Sequence, residues 1–151
     1  MKQLAQCELL RSAAANSLVE IALVMPFLMA VLFGVVDFGR MYFMAMEVAG
    51  AAEAGALYGV SNHSDTAGMK SAATLSAPDV PGLTVPTPTY GCECSNGSNY
   101  SASCTSTPTC TSNVVYRVTV TVSATYTPFF PWPSIPASIP LSNTVVMRTS
   151  N

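Results

Sequence analysis

Four cysteines, Cys92, Cys94, Cys104 and Cys110, crowd into the stretch from Gly91 to Thr111, GCECSNGSNYSASCTSTPTCT. Thiols at such density support two chemistries, a pair of disulfides or a four-thiolate zinc site. The CxC and Cx5C spacings are not the CxxC knuckles of common zinc sites, so disulfides in an oxidising compartment are the more economical expectation. Cys92 and Cys94 are separated by one residue and cannot pair with normal geometry, which leaves two connectivities. The nested one, Cys92 with Cys110 and Cys94 with Cys104, is expected because it closes a hairpin. Catalytic chemistry finds no footing. The single histidine, His63, sits in the polar loop SNHSD without a partner at ligand spacing and reads as an exposed bystander. Asp65, Asp79 and Glu93 fall in loop-like sequence with no reason to converge, and no phosphate loop is present. Neither a metal nor a cofactor is expected.

One further carboxylate stands out by its surroundings. Glu20 lies at the edge of the run Ile21 to Val36, sixteen residues without a charged side chain. As a helix this run rises roughly 24 Å, and Leu18 and Val19 before it and Met41 to Met44 after it lengthen the apolar rod. Ten of the sixteen are Ile, Leu, Val or Phe, which favours insertion by about 3 to 6 kcal/mol. Glu20, at the margin, costs less than the roughly 2.5 to 3.5 kcal/mol of a charge at mid-membrane. A transmembrane helix is therefore expected, in preference to a buried helix of a soluble core or a cleaved secretory signal. GVVDFGR after the run offers no small-x-small cleavage site, and LAQC at Leu4 to Cys7 has no apolar region before it. Lys2 and Arg11 precede the span while Arg40 follows it, which favours a cytoplasmic N-terminus.

The small residues Ala13 to Ala15, then Val19 and Glu20, then Ala22, Leu23, Val24, Pro26 and Gly34, and the DFGR of Asp37 to Arg40 together resemble the TadE-like family of minor pilins, or pseudopilins, of the tight-adherence pilus. Ala51, Ala52, Gly55, Ala56 and Tyr58 resemble the family's distal small-residue block, with Glu53 and Leu57 where basic residues are usual. The resemblance implies a short cytoplasmic leader removed by a prepilin peptidase, with the glutamate five residues into the mature chain. Counted back from Glu20, Ala15 ends the leader and Asn16 begins the mature protein; Ala15 stands where the family usually has glycine, and Ile21 where an aromatic residue is common. The implied partners are the membrane, other pilins through the N-terminal helix, and the pilus assembly platform. A carboxylate at Glu20 would neutralise the new amino terminus of a neighbouring subunit, because paired charges are tolerated at low dielectric where single ones are not. Snorkelling of Glu20 to the headgroups is the alternative.

The elements that position these groups follow from pattern. The chain has 151 residues, a net charge of −2 and only 9% charged residues, low for a soluble protein. It carries no basic stripe for nucleic acid. Residues 1–15 read as the leader, 16–60 as the transmembrane helix and its continuation, and 61–151 as a small β-rich head outside the cytoplasm. Pro26 would loosen one helical turn, which membrane helices tolerate. Beyond Met41 the helix is small-faced, and Ala51, Gly55 and Gly59 recur every four residues, a spacing that admits close approach of a partner helix or of the chain's own sheet. The partner helix is favoured here.

Asp65 or Thr66 can cap a short helix over Ala67 to Leu75, stopped by Pro78 and Pro81. Leu83 to Tyr90 alternates, but Pro86 and Pro88 reduce it to an edge strand at best. Val114 to Tyr126 alternates almost without a break, with Val118, Val120 and Val122 on one face and Thr119, Thr121 and Ser123 on the other. The proline-rich PFFPWPSIPASIP of Pro128 to Pro140 excludes regular structure. Its Phe129, Phe130, Trp132, Ile135 and Ile139 are expected to pack on the domain, with an exposed docking surface as the alternative. Leu141 to Arg148 returns as a strand beside Val114 to Tyr126, and this closing segment also resembles the family's C-terminal end.

The expected fold class is α+β: a long N-terminal transmembrane helix continuing into an amphipathic helix, followed by a small antiparallel sheet with a disulfide loop. A structural part in priming or tipping a pilus for surface adhesion is the expected function. The alternative is a single-pass anchored binding protein outside the cytoplasm that never enters a filament.

Overall fold

The computed structural model describes residues 2–102, 104, 108–131 and 133–150. Helix α1 runs from Lys2 to Ser61 and passes through Pro26 without a break. The residues of its apolar run, Leu18 to Val36, are almost all exposed on the single chain, Leu23 and Phe27 at 76% and 70%. No soluble-core helix leaves so much apolar surface uncovered. Among the described residues, α1 contains the one segment long and apolar enough to cross a membrane, and none of its apolar window is buried within the chain.

Contacts divide the chain into two compact units, 1–40 and 41–151. The second takes in the last turns of α1, a short helix α2 (Thr66–Ser76), and strands β1 (Thr89–Cys94), β2 (Val114–Tyr126) and β3 (Ile139–Ser150). The strands form one antiparallel sheet in the order β1-β2-β3. The fold is α+β.

Helix α2 starts where the turn chemistry requires it to. Asp65 caps it by accepting a hydrogen bond from the Gly68 N–H at 2.9 Å, and the Tyr58 hydroxyl donates to the other carboxylate oxygen at 2.8 Å. Burial along β2 follows the sequence alternation: Val118, Val120, Val122, Ala124 and Tyr126 are buried, and the residues between them are not. That face meets Met44, Val48, Ala51, Ala52 and Ala56 of α1 and Met69 and Ala73 of α2 in one core. Small residues on α1 allow this. A methyl group on Gly55 would stand 2.9 Å from the Met69 carbonyl oxygen and 3.1 Å from both Ala73 Cβ and Val120 Cγ1; one on Gly59 would meet Met69 and Val118.

Two expectations about strands change. The segment Leu83 to Tyr90 does not form an edge strand along its length; Thr84 makes an isolated bridge, exchanging backbone hydrogen bonds with Ser123 at 2.8 and 2.9 Å, and only the last two residues, Thr89 and Tyr90, enter a strand. Pro86 and Pro88 have no N–H to offer β2, so pairing resumes only beyond them. Strand β1 instead runs through Thr89–Cys94, into residues whose Gly, Cys and Ser content reads as loop. On the other side β3 begins at Ile139 and accepts Pro140 opposite Thr125, a position that an edge strand tolerates.

Candidate functional site

The disulfide loop is built on β1. Cys92 and Cys94 stand two residues apart on one strand, opposite Tyr116 and Val114 of β2. Immediately after Cys94 the chain turns at Asn96 and Gly97, where Gly97 adopts φ 84° and its N–H donates to the Cys94 carbonyl at 2.7 Å. The returning chain pairs Ser101 with Cys92 through reciprocal backbone bonds of 2.7 and 2.9 Å. Cys104 lies three residues past that pairing and bonds Cys92, with Cα atoms 5.3 Å apart; Cys110 bonds Cys94 at 5.5 Å.

The nested connectivity is therefore corrected to a crossed one. Nesting assumes a hairpin whose tip lies midway between Cys94 and Cys104. The tip sits directly after Cys94 instead, so the return strand has passed Cys92 before Cys104 arrives. Cys110 then approaches Cys94 because β2 starts at Val114, paired with Cys94, and the Ser95 N–H donates to the Asn113 carbonyl at 2.8 Å. With all four sulfurs bonded to one another, the four-thiolate zinc reading fails on the same observation.

Glu93, between the two bonded cysteines, faces the opposite side of the sheet and is only 1% exposed. Arg117 of β2 donates to its Oε2 at 3.2 Å, and Arg148 of β3 donates to its Oε1. The register places Arg117 opposite Arg148 and two residues along β2 from Val115, the residue opposite Glu93, so a single buried carboxylate ties all three strands together. The Tyr100 ring lies against the Arg117 guanidinium, 5.2 Å from centre to centroid. Gly91 permits that approach, since a Cβ there would stand 2.5 Å from the Ser101 carbonyl oxygen and 2.8 Å from the Tyr100 ring. Reading Glu93 as a loop acid missed this clamp. Only the pairing register reveals it, because its members are far apart in the chain.

His63 is also not a bystander. Its ring stacks on Tyr116 with centroids 3.9 Å apart and planes 14° from parallel, closing the loop between α1 and α2 over the sheet. Asp65 is exposed, yet the Gly68 N–H foremost, and then the Tyr58 hydroxyl, hold its carboxyl below the usual carboxylate range.

The expected helix-packing residues Ala51, Gly55 and Gly59 are all buried, but by the chain's own α2 and β2. The close-approach face of α1 is thus occupied within the second unit, so a partner helix from another chain is not what covers it. The proline-rich segment differs from expectation in the other direction. Phe129, Phe130 and Ile135 are 64%, 40% and 40% exposed and do not pack into the core, whereas Ile139 packs against it. Prolines at 128, 131 and 136 hold the backbone away from regular pairing. Trp132 lies outside the described residues.

In the first unit, Ala15 and Asn16 lie within the helical backbone of α1, and Glu20 is exposed beside Ile21 and Val24. Asp37 of the DFGR run is buried. An acid at the head of an exposed apolar helix, followed by DFGR and a small-residue face, is the arrangement that decides the family resemblance. Residues 16–57 match the model of the TadE-like protein family. The TadE-like segment covers the apolar part of α1 and most of its packed part, and none of the sheet. The same stretch holds, among the described residues, the helix long and apolar enough to cross a membrane. No curated protein and no solved structure matches the chain.

Proposed function

We propose that this protein is a minor pilin of a tight-adherence pilus system, with structural work in priming or tipping the filament and so in surface adhesion. The observation that carries the reading is the TadE-like match that starts at Asn16, the residue expected to open the mature chain, and continues over an apolar run, Leu18 to Val36, that the chain itself leaves exposed. Such a helix has two ways to cover its surface, lipid and sister helices, and a pilin uses them in turn.

In this reading a prepilin peptidase cuts between Ala15 and Asn16. The N-terminus is cytoplasmic, the helix crosses the inner membrane, and the disulfide-bonded head lies outside the cytoplasm, where cysteine pairs persist. Glu20 then faces the charged amino terminus of a neighbouring subunit, and the assembly platform draws the helix out of the bilayer. The packed face at Ala51, Gly55 and Gly59 serves to fasten the head to its own helix, so contacts between subunits fall to the exposed residues of the apolar run.

Sequencing the N-terminus of protein extracted from membranes tests this reading. Pilin processing gives a chain that begins at Asn16. A membrane-embedded chain that begins at Met1 would support the simple anchored binding protein instead.

A further inference from the structure

The strand β2 and the packed part of α1 run antiparallel. Gly55 approaches Val120, and Gly59, one turn later in the helix, approaches Val118, two residues earlier in the strand. From Val120 the strand continues to Tyr126, about 20 Å at the usual rise. The same distance back along α1 is about 13 residues, which brings Tyr126 level with Tyr42. The segment that follows Tyr126 therefore emerges at the end of the second unit where the chain enters it, at Met41. In the sequence, the apolar run ends at Val36, five residues earlier.

At that end the second unit displays aromatic surface. Tyr42 and Phe43 on α1 are 67% and 60% exposed, and Phe129, Phe130 and Ile135, which follow Tyr126 in the chain, are 64%, 40% and 40% exposed. The last three and the surrounding prolines enclose a hollow of about 220 Å³. No Asp, Glu, Lys or Arg occurs between Arg117 and Arg148. A surface meant for water, or for a charged partner, would carry some. The segment is also held in shape by its prolines and by a turn at Ser134, φ 76°, so displaying its side chains costs little ordering entropy.

We infer that the segment from Pro128 to Pro136 is an interfacial anchor. The exposed side chains of Phe129, Phe130 and Ile135 enter the headgroup region of the phospholipid bilayer that α1 crosses, and they tie this end of the head to the lipid surface. Aromatic residues concentrate at this depth because their rings suit a zone that is apolar on one side and wet on the other. The inference rests on the reading of α1 as a membrane span. It adds a second point of attachment, which subunit extraction into a filament would have to break.

The single tryptophan of the chain, Trp132, falls in this stretch of sequence and serves as the reporter. The full-length protein is reconstituted in phosphatidylethanolamine and phosphatidylglycerol vesicles that contain lipids brominated at a shallow or a deep acyl position. Carbonate extraction of the same vesicles establishes that the chain spans. The expected result is stronger quenching by the shallow bromines, lost in the Phe129→Ser, Phe130→Ser double variant, whose inserted population should fall more than tenfold. Both side chains are exposed, so the variant keeps its core, and retention of both disulfides on non-reducing gels checks this. Absence of quenching in the extraction-resistant wild type would overturn the anchor while leaving the span intact. So would quenching that the double variant retains. A blue-shifted emission that disappears when protein is diluted tenfold in lipid would assign the surface to a second copy of the chain and overturn it as well. Release of the protein by carbonate would overturn the span and the anchor together.

Discussion

Gly55 and Gly50 lie on the same helix and differ in what surrounds them, so replacing each by alanine separates packing from helix propensity. Both substitutions gain about 0.8 to 1 kcal/mol of helix propensity. At Gly50 nothing lies within 4 Å of the added methyl, so Gly50→Ala should stabilise by about that amount. At Gly55 the methyl would meet the Met69 carbonyl oxygen at 2.9 Å, a backbone atom of α2 that cannot rotate aside, with Ala73 and Val120 at 3.1 Å. Overpacking of this kind costs about 1 to 3 kcal/mol, so Gly55→Ala should be neutral to destabilising by about 2 kcal/mol. The difference between the two variants, about 1 to 3 kcal/mol, is the packing contribution alone. For a head of this size it corresponds to roughly 4 to 20 °C in midpoint, measured by near-ultraviolet circular dichroism on the full chain in detergent. Gly59→Ala should fall between them, because its closest neighbours at 3.0 Å are the flexible tip atoms of Met69. Equal midpoints for Gly50→Ala and Gly55→Ala would refute the reasoning. They would mean that the small face of α1 is open, and would return it to the role of a seat for another chain's helix.

Two further expectations concern the head. The crossed disulfides predict that the pair Cys92→Ser, Cys104→Ser leaves Cys94 and Cys110 bonded with no new free thiol, whereas Cys92→Ser, Cys110→Ser exposes thiols at Cys94 and Cys104; titration with a thiol reagent under denaturing conditions distinguishes them. Loss of one native bond should lower stability by about 2 to 5 kcal/mol. Asp65 gives an acid limb to the stability of α2. Its carboxyl is held below the ordinary range in the folded state, so its contribution is complete above the unfolded carboxylate pKa and is lost as pH falls through the lower folded value. Asp65→Asn should flatten that limb in a pH series of thermal midpoints, and an unchanged limb would remove Asp65 as its source.

Much of the fold is readable in local pattern, and the reason differs by element. An uncharged run of sixteen residues allows few structures besides a spanning helix, because burying unpaired backbone groups in lipid is too costly. The alternation of Val114 to Tyr126 identifies β2 and its core face, since a period of two puts every second side chain on one side. Asp65 announces the start of α2 through its capping chemistry. In each case the information lies within a few residues, where the physics acts.

The parts that were not readable depend on register between distant strands. β1 hides in a Gly and Cys stretch because its stability comes from pairing with β2 and from two covalent bonds, and hardly from propensity. The placement of its turn directly after Cys94 then decides which sulfurs meet. Glu93, Arg117 and Arg148 are unremarkable singly and become one ion cluster around a buried carboxylate only when β1-β2-β3 order sets them side by side. His63 finds Tyr116 in the same way. Sequence alone determined that this protein has a long apolar helical rod with an acid near its start, a small-residue continuation and a cysteine-rich head, since composition and short-range periodicity specify each of these. Tertiary structure alone decided that the small face holds the chain's own sheet and helix, that the disulfides cross, and that the aromatic proline segment stays outside the core. Those outcomes follow from how close distant backbones can come, a quantity that no local pattern encodes.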